Sequence, residues 1–65
     1  MRMDEQIYTV EEVAHKLRVD VRTVRKWIRR GDLVAMDVGR EYRIRQSNLD
    51  DFIRRRESRQ KPTDT

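Results

Sequence analysis

The 65-residue chain has no cysteine, one histidine, one proline, two glycines and few aromatic residues: one Trp, two Tyr and one Phe. Without cysteine there is neither a disulfide nor a thiolate-bound metal. One histidine leaves no pair from which to build a His-based metal centre or a catalytic dyad. No stretch approaches the roughly 20 apolar residues of a membrane-spanning helix. The first residues, Met1-Arg-Met-Asp-Glu-Gln, carry charge where a secretory leader needs an apolar run. A soluble, cytoplasmic protein with no membrane partner is therefore expected. Between Ile7 and Ile53, 21 residues are A, V, I, L, M, F, W or Y. That supplies one thin core shared by three or four short elements, and too little to enclose a substrate pocket as well.

Charge is what the chain has in excess. Charged side chains make up 43% of it, with a net of +4, and their distribution matters more than their sum. Residues 1–17 carry two basic and four acidic side chains, residues 18–45 nine and four, and residues 46–65 five and four. The positive charge thus sits mid-chain, where the structural signals are best defined, and not in a terminal tail. Nucleic acid is the natural partner of a central basic stripe.

Thr9 and Glu12 have the spacing of a capping box, and Val10, Val13, Ala14 and Leu17 recur at i, i+3, i+4 and i+7. Together they predict a first helix, with Ile7 or Tyr8 packing back on it as a staple. After only Arg18-Val19-Asp20, Asp20 is placed to cap a second helix that a left-handed Gly31 ends. Val19 is placed to plug the angle between the two. From Leu33 the period changes. Leu33–Val38, a tight turn at Gly39-Arg40-Glu41 and Tyr42–Ile44 read as two strands, with Tyr42 and Ile44 facing one way and Arg43 the other. Ser47, with Asp50 three residues on, is expected to cap a last helix that returns Leu49, Phe52 and Ile53 to the core. The predicted fold is mainly α with a small β-hairpin, a winged helix-turn-helix in the order α-α-β-β-α. Residues 1–6 are expected to be a flexible N-terminus, 7–56 the folded domain and 57–65 a disordered polar tail.

Residues 20–30 form the expected recognition helix. At about 100° per residue, Arg22, Arg25, Lys26 and Arg29 fall within roughly 100° of arc, with Val24, Trp27 and Ile28 opposite. A solvated helix face usually interleaves acids that form i,i+4 pairs, and between Val21 and Arg30 there is none. A cationic ridge on an apolar keel suits a helix pressed into a DNA major groove. Arg22 and Arg25 are assigned to base edges, because arginine can bond guanine bidentately. Lys26, Arg29 and Arg30 are assigned to phosphate. Thr23 is either a phosphate contact through its hydroxyl or a plain first-turn residue.

Three runs together resemble the small MerR-type winged-helix domains, which include excisionases and BldC-type regulators. They are Tyr8-Thr9-Val10-Glu11-Glu12-Val13-Ala14; Val19-Asp20-x-x-Thr23-Val24-x-x-Trp27-Ile28-x-x-Gly31-x-Leu33; and Gly39-Arg40-x-Tyr42-Arg43-Ile44. The resemblance implies base or backbone contacts from Arg22, Thr23, Arg25 and Lys26. It also implies a wing, residues 34–44, on the DNA backbone or adjacent minor groove, with Arg40 at its tip and Tyr42 and Arg43 beside it. Arg18 stands where many relatives have glycine, so a left-handed backbone there would cost about 1 kcal/mol. Full-length MerR regulators continue into a long dimerisation helix and an effector domain, whereas only a polar stretch follows Ile53 here. Effector sensing by that route is expected to be absent.

The remaining residues take plainer readings. Trp27 belongs to the core and His15 to the surface. Glu11/Glu12 and Asp50/Asp51 each sit in a helix first turn, where the dipole accounts for them without catalysis. Arg54-Arg55-Arg56 either complements a helix C-terminus or adds a phosphate clamp. No cofactor, metal or enzymatic activity is expected. A single module of this kind buries only about 600–1,000 Å² on DNA, which points to self-association of several copies on adjacent repeats. An excisionase-like architectural factor steering a recombinase, or a small transcription regulator working with RNA polymerase at the nucleoid, would fit. The competing reading is a protein-interaction module that docks an acidic partner through its basic face. RNA binding is disfavoured by the scarcity of exposed aromatics.

Overall fold

Thr9 closes one element and opens the next. In the computed structural model, which describes residues 5–60, Thr9 is the last residue of strand β1 (Ile7–Thr9) and the N-cap of helix α1 (Val10–Leu17). The expected capping box is present: Glu12 N donates to Thr9 Oγ1 at 3.0 Å, and Thr9 N donates to Glu12 Oε1 at 2.9 Å. Val10, Val13 and Ala14 are buried, and Leu17 packs partly buried against them. Of the two candidate staples, Tyr8 packs on the core, while Ile7 stays half exposed.

Helix α1 and helix α2 (Val21–Arg29) end in the same device. Past α1, Val19 N donates to Ala14 O at 2.9 Å and Arg18 N to His15 O at 3.2 Å. Past α2, Asp32 N donates to Trp27 O at 2.8 Å and Gly31 N to Ile28 O at 3.1 Å. Both are Schellman closures, which need one residue in the left-handed region. Gly31 (φ 84°) takes it without a Cβ penalty, but at the first closure the residue is Arg18, with φ 57° and ψ 45°. Asp20 caps α2 as expected, its Oδ1 accepting from Arg22 N at 2.9 Å. Val19 packs partly buried against the core between the helices.

Strands β2 (Met36–Val38) and β3 (Glu41–Arg45) are joined by a two-residue turn in which Gly39 has φ 77° and Arg40 does not have a positive φ. Glycine at the first central position is the pattern of a type II′ turn. Within β3, Ile44 is buried and Tyr42 packs on the core, while Glu41, Arg43 and Arg45 alternate to the other face. The first strand begins later than the predicted Leu33. Leu33 is buried and its N–H goes to Trp27 O at 3.2 Å, so it still belongs to the closure of α2.

The hairpin is also not the whole sheet. β1 pairs antiparallel with β3, Ile7 opposite Arg45 and Thr9 opposite Arg43, giving the order β1-β3-β2. A three-residue strand whose partner lies far along the chain leaves no local periodicity, which is why α-α-β-β-α lacks it. With it included, the described residues form a winged helix-turn-helix of three helices on a three-stranded sheet.

Helix α3 (Gln46–Gln60) follows β3 with no intervening turn, so Ser47 lies inside its first turn and does not cap it. The cap comes from the N-terminal segment instead. The Glu5 carboxylate accepts from Ser47 N at 3.0 Å and from Ser47 Oγ at 2.6 Å. Gln46 N donates to Gln6 O at 2.9 Å, Tyr8 Oη donates to Gln46 Oε1, and Gln46 Nε2 donates to Asp50 Oδ1 at 2.9 Å. Glu5 and Gln6, expected in a flexible terminus, are thus tied to α3. The boundary expected at Glu57 also falls inside α3, because charged and amide side chains are adequate helix formers without an apolar face. The rest of both expected termini, 1–4 and 61–65, lies outside the described residues. Among the described residues no helix is long and apolar enough to cross a membrane.

Two outcomes follow. Arg18→Gly should raise unfolding stability by about 1 kcal/mol, read from urea melts at unchanged m-value. Hydrogen bonds from Ser47, side chain then backbone, hold the Glu5 carboxyl below its ordinary 4.5, with Arg45 helping and partial burial opposing. A lowered folded value means that the stability is present above that pH and lost as acid carries the solution through the folded value. Glu5→Gln should therefore flatten this part of the acid limb in melts across pH 2–6, and an unchanged limb would remove the cap from the ledger.

Candidate nucleic-acid interface

α2 has two faces and the structure uses only one. Val24 is fully buried, and Trp27 and Ile28 pack partly buried on the core. The Trp27 ring meets Phe52 of α3 at 4.8 Å between centroids, tilted by 46°. The Arg56 guanidinium lies over both rings, 5.1 Å from Trp27 and 4.9 Å from Phe52. A buried keel and an aromatic clamp fix the helix about its own axis, which decides what its other face presents.

That other face is cationic throughout. Arg22, Arg25, Lys26, Arg29 and Arg30 are exposed, and among the described residues none gives its side chain to a hydrogen bond or an ion pair. Several cations elsewhere are engaged by the fold. Arg43 Nη1 reaches Glu41 Oε1 at 2.7 Å and Tyr42 O at 3.2 Å. Arg55 reaches Asp51 at 3.5 Å and donates to Asp32 O at 3.3 Å. Lys16 Nζ lies 5.1 Å from the centre of the Tyr8 ring. The two open readings of Arg54-Arg55-Arg56 therefore divide: Arg55 and Arg56 are held by the fold, and Arg54 is exposed.

The sequence-assigned residues fall into two groups. Arg22, Arg25, Lys26, Arg29 and Arg30 share α2 or its cap, with Thr23 half-buried in the first turn. Arg40 stands exposed at the hairpin tip, while Tyr42 and Arg43 lie on opposite faces of β3. Glu41, adjacent to Arg40, is taken by Arg43, so the tip cation is left without an acid among the described residues. Two exposed cations were not assigned from sequence. Arg45 follows Arg43 on the outer face of β3, where period-2 alternation places it. Arg18 sits in the turn just before α2. Among the described residues no group of three His, Cys, Asp or Glu side chains could hold a metal ion. The geometry offers a surface for a polyanion.

Comparison with known proteins gives one result. A family model described as a helix-turn-helix domain matches residues 7–57. Neither the curated proteins nor the solved structures gave a match.

The division of cations has a measurable consequence. Arg56→Ala should cost about 1 kcal/mol, the scale of a cation–π contact over partly buried rings. Alanine at Arg22, Arg25, Lys26 or Arg29 should leave stability within about 0.5 kcal/mol of wild type or slightly above it. Thermal melts of the five variants would separate the classes, and equal losses in both would undo the division.

Proposed function

The chain belongs to this helix-turn-helix family, whose model spans residues 7–57, and from that premise we propose that it binds double-stranded DNA with sequence specificity through α2 and the wing. The observation that carries the reading is the row of exposed, unpaired cations on α2, held outward by a buried keel. α2 enters the major groove. Arg22 and Arg25 read base edges, with guanine O6 and N7 as the matched pair for a guanidinium. Lys26, Arg29 and Arg30 bind phosphate, and the Thr23 hydroxyl adds a phosphate contact near the helix start. Arg40, unpaired among the described residues, carries the wing onto the backbone or minor groove. Tyr42 and Arg43 lie on opposite faces of β3, so only one of them can follow it, and Arg43 does so by exchanging Glu41 for a phosphate.

Within the family the reading is of a MerR-type, excisionase-like domain, acting as an architectural factor or a small transcription regulator. One copy buries only about 600–1,000 Å² of its own surface on DNA, so several copies on adjacent repeats supply useful affinity. A recombinase or RNA polymerase is the partner that would use such an array. A footprint separates the two roles: tandem sites beside a recombination junction support the first, and sites over a promoter the second.

Selection from random duplexes, followed by salt titration, tests the proposal. With five to seven phosphates contacted, log K should fall against log salt with a slope near roughly −5 to −6. Arg25→Ala should change the preferred sequence, whereas Lys26→Ala should weaken all sites alike. No enriched motif, or no duplex binding at about 150 mM salt, would leave the basic face to an acidic protein partner instead.

A further inference from the structure

Asp20 is the one acidic residue between Val19 and Gly31, and it stands at the leading end of the most basic helix in the chain. Its Oδ1 is used: it accepts from Arg22 N at 2.9 Å and caps the helix. Among the described residues no donor reaches its Oδ2, and no Lys or Arg side chain pairs with the carboxylate. The residue is exposed. Capping alone does not require this charge, since serine or asparagine caps about as well. The helix dipole favours a negative charge there, but next to DNA the same charge repels every phosphate that approaches.

Resting on the DNA-binding reading above, we propose that Asp20 is a specificity-determining residue whose free carboxylate oxygen accepts a hydrogen bond from the exocyclic amino group of a cytosine in the major groove. The N-terminal residues of a recognition helix are the ones that meet base edges. A carboxylate only accepts, so the groups it can meet in the major groove are cytosine N4 and adenine N6. Adenine sets its N7 acceptor beside that amino group, which opposes a second carboxylate oxygen. Cytosine presents its amino group without an N7 acceptor. Asp20 thus works by difference. On most sequences its charge is an unrelieved repulsion, and it is relieved only where the amino group is presented.

Asp20→Ser and Asp20→Asn keep a capping oxygen and remove the charge, and thermal melts of both should stay close to wild type. In site selection the wild-type chain should enrich a motif with a fixed cytosine, favoured about ten-fold over other bases at that position. Asp20→Ser should lose that one preference, keep the others, and bind unrelated duplexes several-fold more tightly. Asp20→Asn should shift the position toward adenine, which an amide matches bidentately. A wild-type motif without the cytosine, or variants that select the wild-type motif unchanged, overturns the proposal for Asp20 alone. A wild-type chain that enriches no duplex overturns the reading beneath it as well.

Discussion

The pairing of β1 with β3 is the constraint on which the rest of the domain depends. Thr9 pairs with Arg43 across that ladder and caps α1 in the same position. The start of the first helix is therefore locked to the central strand of the sheet. β3 holds the wing strand β2 on its other side and runs straight into α3, whose Phe52 meets Trp27 of α2. One three-residue strand thus joins the helix pair, the wing and the closing helix in a single frame. Glu5 and Gln6 strengthen the joint by binding the start of α3. A hairpin alone would be marginal in water, and the third strand with its helical cover is what makes it persist.

Within that frame the basic side chains serve two different ends. Arg43, Arg55 and Arg56 are spent on the protein itself, against an acid, a carbonyl and two aromatic rings. Those on α2 are not. The contrast concerns position more than residue type, because arginine suits both uses: its planar guanidinium stacks on rings and forks onto carboxylates or phosphates alike. For Arg43, Arg55 and Arg56 the partner is an acid, a carbonyl or a ring that the folded chain brings within reach. On α2 the sequence supplies no acid after its cap.

How much could be seen beforehand follows the range of each interaction. The Thr9–Glu12 box, the Asp20 cap and the left-handed Gly31 are contacts within a few residues, so spacing alone exposes them, whereas the left-handed Arg18 was suggested only by the glycine that similar domains carry there. The ridge and keel of α2 are a matter of angle on one helix and were equally legible. The Glu5–Ser47 cap and the β1–β3 ladder join the two ends of the domain, where no local pattern announces them. Ser47 does not cap α3 because the helix starts at Gln46, straight out of β3, and the residue that accepts from its amide comes from the other end of the domain. At the wing, Glu41 has arginines one and two positions away, and strand alternation puts Arg43 on its own face. Sequence displayed both neighbours, but only the folded sheet chooses between them.

The ridge also strains the helix that bears it. Arg22 and Lys26, Arg25 and Arg29, and Lys26 and Arg30 are like charges one turn apart, each pair unfavourable by about 0.2–0.5 kcal/mol. The free domain therefore carries a self-repulsion that its own packing does not relieve. Small counterions screen that repulsion, so added salt steadies the domain on its own while loosening its hold on any polyanion. The same ions act in opposite directions on the two states. A bound polyanion relieves the repulsion better than salt does, and α2 becomes most stable as a helix when it is no longer alone.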